Sequence, residues 1–127
     1  MKVISSKMHG VLDYLVGIIL IMSPWIFGFA DGGREMSIPI ILGILSVVYS
    51  LLTRYEFGVY KVIPFKAHLM VDALSGVLLA ASPWIFNFAS DVYLPHLLFG
   101  LMEIIVVFLT NRQTETRYPT LQHSHAV

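Results

Sequence analysis

The chain has 127 residues, 57% of them apolar and only 13% charged, where an ordinary soluble domain is about 45–50% apolar and about 25% charged. Eight Lys and Arg balance eight Asp and Glu, so no net field draws the chain to nucleic acid, which is excluded as a partner. With no cysteine, disulfides, thiolate nucleophiles, zinc knuckles and iron–sulfur clusters are excluded too, and the redox compartment cannot be read.

A helix needs about 20 largely apolar residues to cross a hydrocarbon core of roughly 30 Å. Residues 14–30, 36–53 and 73–90 contain no charge, and 92–111 contains only Glu103. These runs predict four transmembrane helices, at about 8–25, 37–53, 67–84 and 94–110. Each run is near the lower length limit, so the first and third helices should recruit residues 8–13 and 68–72, or the bilayer should thin locally. A water-soluble bundle would have almost no polar helix faces to present. The first apolar stretch follows Lys2 and Lys7 as a signal peptide would, but His9 and Asp13 interrupt its core and no small-x-small cleavage site follows, so it is kept as the first membrane helix.

Lys and Arg in short loops mark the cytoplasmic side. Lys2, Lys7, Arg54, Lys61, Lys66, Arg112 and Arg117 fall on one side and only Arg34 on the other, which predicts a multi-pass protein of the inner membrane with both termini in the cytoplasm.

Sliding the chain by 59 positions reveals an internal repeat. Lys2-Val3-Ile4, Lys7, His9, Asp13, Leu15, Gly17 and Leu20 recur as Lys61-Val62-Ile63, Lys66, His68, Asp72, Leu74, Gly76 and Leu79. Ser23-Pro24-Trp25-Ile26-Phe27 then equals Ser82-Pro83-Trp84-Ile85-Phe86, and Phe29-Ala30 equals Phe88-Ala89. The second helices align more weakly, Gly43 with Gly100 and Leu52-Thr53 with Leu109-Thr110. Each copy holds two spans, so both begin on the same side and a pseudo-twofold axis should run along the membrane normal.

The repeated Ser-Pro-Trp, in matching helical context and with the same upstream His and Asp, resembles the SPW-repeat family of small bacterial membrane proteins. The resemblance covers residues 2–111. It implies that the tripeptide lies in the first of a pair of transmembrane helices, and it implies no reaction, substrate or cofactor. The expected fold is all-α, a four-transmembrane-helix bundle of two tandem parallel helix hairpins, with repeats at 1–60 and 61–111 and a flexible cytoplasmic tail at 112–127 that carries His123 and His125.

Pro24 and Pro83 free the carbonyls of Leu20 and Leu79, so each helix should kink or stop there, or restart with Ser23 or Ser82 as N-cap. Trp25 and Trp84, with Phe27, Phe29, Phe86 and Phe88, then suit an aromatic belt at the outer headgroup level. Gly17, Gly43, Gly76 and Gly100 read as helix-packing positions, Gly76 forming a small-xxx-small pair with Ala80. The connection 54–66 mixes Tyr55, Phe57, Tyr60, Val62, Ile63 and Phe65 with basic residues, as a segment lying on the membrane surface would.

His9 with Asp13, and His68 with Asp72, each fall on one helix face at a spacing of four, about a turn inside the cytoplasmic end. Ionisable groups at membrane depth are costly and are functional candidates by default. If the pairs converge they could bind zinc, manganese or iron, or two imidazoles could ligate a haem; otherwise each aspartate orients its imidazole and ties helices together. Glu103, whose counterpart is Ser46, sits near the middle of the fourth span with His96 two turns outward. These two, with the Asp13/Asp72 level, could form steps of a proton or cation path, or Glu103 could hold a neighbouring helix or subunit. No complete catalytic constellation is expected: Ser23 and Ser82 lack a nearby base, and no carboxyl pair falls where an aqueous cleft is expected. A non-enzymatic protein acting through assembly or interaction, as a homo-oligomer or with a membrane partner in contact with the lipid bilayer, is the first expectation. A solute or ion path and a metal or haem protein are the alternatives.

Overall fold

The computed structural model describes residues 2–116. Four helices follow one another: α1, Ser6–Ile26; α2, Arg34–Leu51; α3, Phe65–Ile85; and α4, Leu94–Leu109. As expected, α1 and α3 recruit the polar residues before their apolar runs, and Ser5 caps α1 by accepting from the Met8 amide at 3.1 Å. At 1.5 Å per residue, the 21 residues of α1 span about 31 Å. Helices α1, α2 and α3 are long and apolar enough to cross a membrane, while α4 is a shorter apolar helix of 16 residues.

The packing is tight within two hairpins, α1 against α2 and α3 against α4, which meet through α2 and α3 and through buried side chains of α1 and α3. His9 meets His68 at one end, and Phe29 and Phe88 both meet His96 at the other, so α1 and α3 run in parallel. Large apolar side chains point outward along every helix, among them Leu15, Ile18, Ile44, Leu74, Val77, Leu98 and Ile105. Much of the interior is small or polar, including Ser23, Ser46, Ser50 and Ser82. That distribution inverts a soluble bundle and is the make-up of a membrane protein.

Each hairpin closes on glycine. A Cβ on Gly43 would lie 2.6 Å from the Gly17 carbonyl oxygen, and one on Gly76 would lie 2.8 Å from that of Gly100. The helix axes can approach only because both positions lack a side chain. Gly100→Val is expected to cost about 1–3 kcal/mol, the usual penalty of overpacking. Mixed-micelle unfolding should show it, and an unchanged midpoint would mean that the second hairpin opens without strain.

The Ser-Pro-Trp segment differs from the expected corner. Neither helix restarts at the proline; α1 and α3 run through it and end at Ile26 and Ile85. The serine acts backwards: Ser23 Oγ donates to Leu20 O at 2.8 Å and Ser82 Oγ to Leu79 O at 2.7 Å. Those are the two carbonyls that proline deprives of their donors, so each serine repairs the gap its neighbour opens. Termination comes one turn later, where Gly28 (φ 75°) and Asn87 (φ 59°) take the left-handed conformation. The Phe29 and Phe88 amides then close back on Pro24 O and Pro83 O, both at 2.8 Å, as in a Schellman cap. Trp25 and Trp84 are exposed, as belt residues would be. Phe29 and Phe88 leave the expected belt: the cap turns both rings inward, and both are buried.

The connection 54–66 also departs from a surface-lying segment. Tyr55 and Phe65 are buried, while Tyr60 and Val62 remain outside. The reason is a pseudo-symmetric clasp at the basic end. Ile63 pairs with the residues after α2, Arg54 N donating to Ile63 O at 2.8 Å. Its repeat counterpart Ile4 pairs with the end of α4, Asn111 N donating to Ile4 O at 2.8 Å. Each repeat's entry segment therefore grips the exit of the other repeat. Residues 112–116 join this end, Glu115 N donating to Ser6 Oγ and Thr116 N to Glu56 Oε1. His123 and His125 lie outside the described residues.

Candidate functional site

The clasp encloses the four residues that the repeat duplicates. His9 and Asp13 lie on one face of α1, His68 and Asp72 on the matching face of α3, and parallel packing turns the two faces toward each other. One ligand atom from each of the four lies within 4.8 Å of the others. His9 Nε2 is 3.1 Å from Asp13 Oδ1 and 2.8 Å from Asp72 Oδ2. His68 Nε2 is 3.0 Å from Asp13 Oδ2 and 3.1 Å from Asp72 Oδ2. All four residues are buried.

The opposite ring nitrogens are each held by a threonine hydroxyl. His68 Nδ1 lies 2.7 Å from Thr53 Oγ1, whose own proton goes to Tyr49 O at 2.6 Å. His9 Nδ1 lies 2.9 Å from Thr110 Oγ1, whose proton goes to Val106 O at 2.6 Å. A hydroxyl has one proton and a carbonyl can only accept, so each threonine must accept from the imidazole and each Nδ1 carries hydrogen. Both Nε2 atoms then face carboxylates. His68 Nε2 makes no well-formed hydrogen bond despite its two close oxygens, because neither lies in its donor direction.

Two tyrosines complete the shell. Tyr55 donates to Asp13 Oδ2 at 2.8 Å and Tyr49 donates to Asp72 Oδ1. Burial, with the Asp13 carboxylate beside it, holds the Tyr55 phenol above its usual pKa, so it remains a donor. Phe65 stacks with Tyr55 at 5.6 Å and meets His9 edge-on, closing the centre with aromatic surface.

A cavity of about 40 Å³ adjoins the centre, lined by His9, Asp13, Asp72, Ser46 and Glu103 among others. That is room for a water or two. Glu103 thus faces its repeat counterpart Ser46 across the same space, and its Oε2 has no hydrogen-bond partner. His96 is not part of this group. Its Nε2 donates to Glu35 O at 2.8 Å, its Nδ1 is buried without a partner, and Phe29 and Phe88 flank its ring. Leu20, Leu42 and Leu79, with Phe99 and Val16 packed on them, fill the interior between His96 and Glu103.

The donor set suits one ion and excludes another group. Two imidazoles and two carboxylates match zinc, iron(II) or manganese, and a tetrahedral site with bonds of about 2.0 Å places ligand atoms about 3.3 Å apart. A haem does not fit, because carboxylate oxygens lie 2.8–3.1 Å from both Nε2 atoms, in the space a porphyrin plane would need. Sequence reasoning missed Thr53 and Thr110 as partners, although the repeated Leu-Thr pair carried the signal. It also missed Tyr49 and Tyr55, which have no counterpart in the other repeat to mark them.

The family model of the SPW repeat domain matches residues 7–110, a stretch that contains the whole centre. No curated protein and no solved structure matches the chain.

Proposed function

Since this chain belongs to the SPW repeat domain family, we propose that its two repeats serve to build one binding centre for a divalent transition metal within the membrane, held by His9, Asp13, His68 and Asp72. The observation that carries this is the threonine lock on the two imidazoles. With Nδ1–H spent on Thr53 and Thr110, both Nε2 atoms are turned toward the carboxylates, and release of the Nε2 protons would free two ligating lone pairs there, the arrangement by which ligating histidines are oriented.

Charge balance supports the same conclusion. Two buried carboxylates need two positive charges, which either a divalent ion or a proton on each Nε2 supplies. Metal binding then exchanges two protons for one ion, and the centre stays neutral in both forms. The small adjoining cavity leaves a position for water or a small ligand beside the ion, with Glu103 facing it.

The positive-inside bias supports an orientation with the centre at the cytoplasmic end and both termini inside, and the clasp supports repeats divided near residue 60. A path from His96 to Glu103 gains nothing from the leucine cluster that fills the space between them. Assembly through the exposed apolar faces is weaker support, because lipid alone requires such faces.

Untagged protein purified in mild detergent should contain about one equivalent of zinc, iron or manganese by elemental mass spectrometry, and none in the His9→Ala/His68→Ala variant. Reloading the chelated parent should release about two protons per metal. Metal-free parent that also fails to take up any of the three ions would sink the proposal.

A further inference from the structure

The second hairpin carries a groove at its basic end whose counterpart on the first hairpin is filled by described residues. At the basic end, Met70 of α3 and Phe108 of α4, exposed to 66% and 68%, stand with Val107 along a groove of about 440 Å³. Lys2, Lys66 and Arg112 line it too, and among the described residues no acidic one does. Lys2 is held in place, its Nζ donating to Phe108 O at 3.0 Å at the C-terminal end of α4. Three cations therefore stand at the basic end of two apolar helices, beside the exposed apolar side chains of Met70 and Phe108.

The repeat supplies an internal comparison. Where α3 has Leu69 and Ala73 in this groove, α1 has Gly10 and Tyr14. A Cβ on Gly10 would meet the rings of Phe57 and Tyr55, and Tyr14 donates to Phe57 O at 2.8 Å, so the connection between the hairpins fills the first site. Lys7, the counterpart of Lys66, is exposed but does not line the groove.

We propose that this groove binds one anionic phospholipid, its phosphate among Lys2, Lys66 and Arg112 and an acyl chain along Met70 and Phe108. Charge complementarity selects the headgroup, since basic pockets between membrane helices recruit anionic lipid. The apolar walls select a lipid over a free anion, because a soluble phosphate would leave them uncovered. This site is independent of the metal centre and stands or falls without it.

Native mass spectrometry of the full chain, released from mixed micelles that contain phosphatidylglycerol and phosphatidylcholine with identical acyl chains, tests the assignment. The parent should retain one phosphatidylglycerol in preference to phosphatidylcholine. Lys66→Gln and Arg112→Gln should each weaken that preference about fivefold, the contribution of one cation near a membrane surface. Lys7→Gln, with the same loss of charge on the same turn of the other repeat, should leave it unchanged. An equal effect of Lys7→Gln would reduce the preference to a general surface field and overturn the site. Equal retention of the two lipids by the parent would overturn it as well. So would binding of glycerol phosphate as tight as that of the lipid, or a large gain in lipid on removing residues 117–127, which would make that segment the occupant.

Discussion

Asp72→Ala is expected to lower the unfolding free energy of the metal-free bundle by about 3–5 kcal/mol, the cost of removing one partner from a buried ionic cluster. Asp72 Oδ2 lies near both Nε2 atoms, at 2.8 Å and 3.1 Å, and Oδ1 accepts from Tyr49, so one substitution strips three groups on three elements. The two imidazoles are then left facing Asp13 alone, in surroundings where water cannot replace the lost carboxylate. Unfolding in mixed micelles under chelator, followed by circular dichroism, reads the effect. A loss below about 1 kcal/mol, the scale of a solvent-exposed pair, would show that the centre adds little to the fold and that water reaches it.

The second large effect separates the metal from the fold. Thr53→Val and Thr110→Val remove the acceptors that lock the two imidazoles while keeping side-chain volume and β-branching. Each should weaken metal affinity about 10–100-fold, the usual consequence of losing a group that orients a ligating histidine. Thr53→Ser and Thr110→Ser retain the hydroxyl and should restore most of the affinity. Competition against a chelating dye measures this directly. If the valine variants bound metal as tightly as the parent, the Nδ1–H contacts would be helix ties and the proposed role of the threonines would fall. Metal affinity should also decline as pH falls, since protons compete for both Nε2 atoms.

The comparison of the two repeats shows why some of the site was legible and some was not. His9, Asp13, His68 and Asp72 announced themselves because charge inside an apolar run is costly and the same pair occurred twice. Their partners did not. Thr53 and Thr110 are ordinary helix-end residues until the entry segments of the opposite repeats, at Ile63 and Ile4, draw those helix ends against the histidines. Tyr55 sat among basic and aromatic residues that pattern alone assigns to a membrane surface, yet the clasp buries it completely. The same limit applies to Ser-Pro-Trp. Proline's missing donor is predictable from its chemistry, whereas the repair by Ser23 and Ser82, and the inward turn of Phe29 and Phe88, depend on where the helix finally ends.

What the sequence by itself determined is the class, the number of helices, the duplication and the identity of the four central groups, because length, apolarity and periodicity are local properties that a bilayer reads directly. Only the tertiary structure decided that the two His/Asp faces meet, that Glu103 shares their cavity while His96 stands apart behind leucines, and that one hairpin keeps an open basic groove that the other fills. Each of these depends on the distance between residues about 50 or more positions apart, such as His9 and Asp72 or Gly10 and Phe57. Such distances are set by helix packing at the glycine contacts and by the clasp between repeats, and no local preference along the chain encodes them.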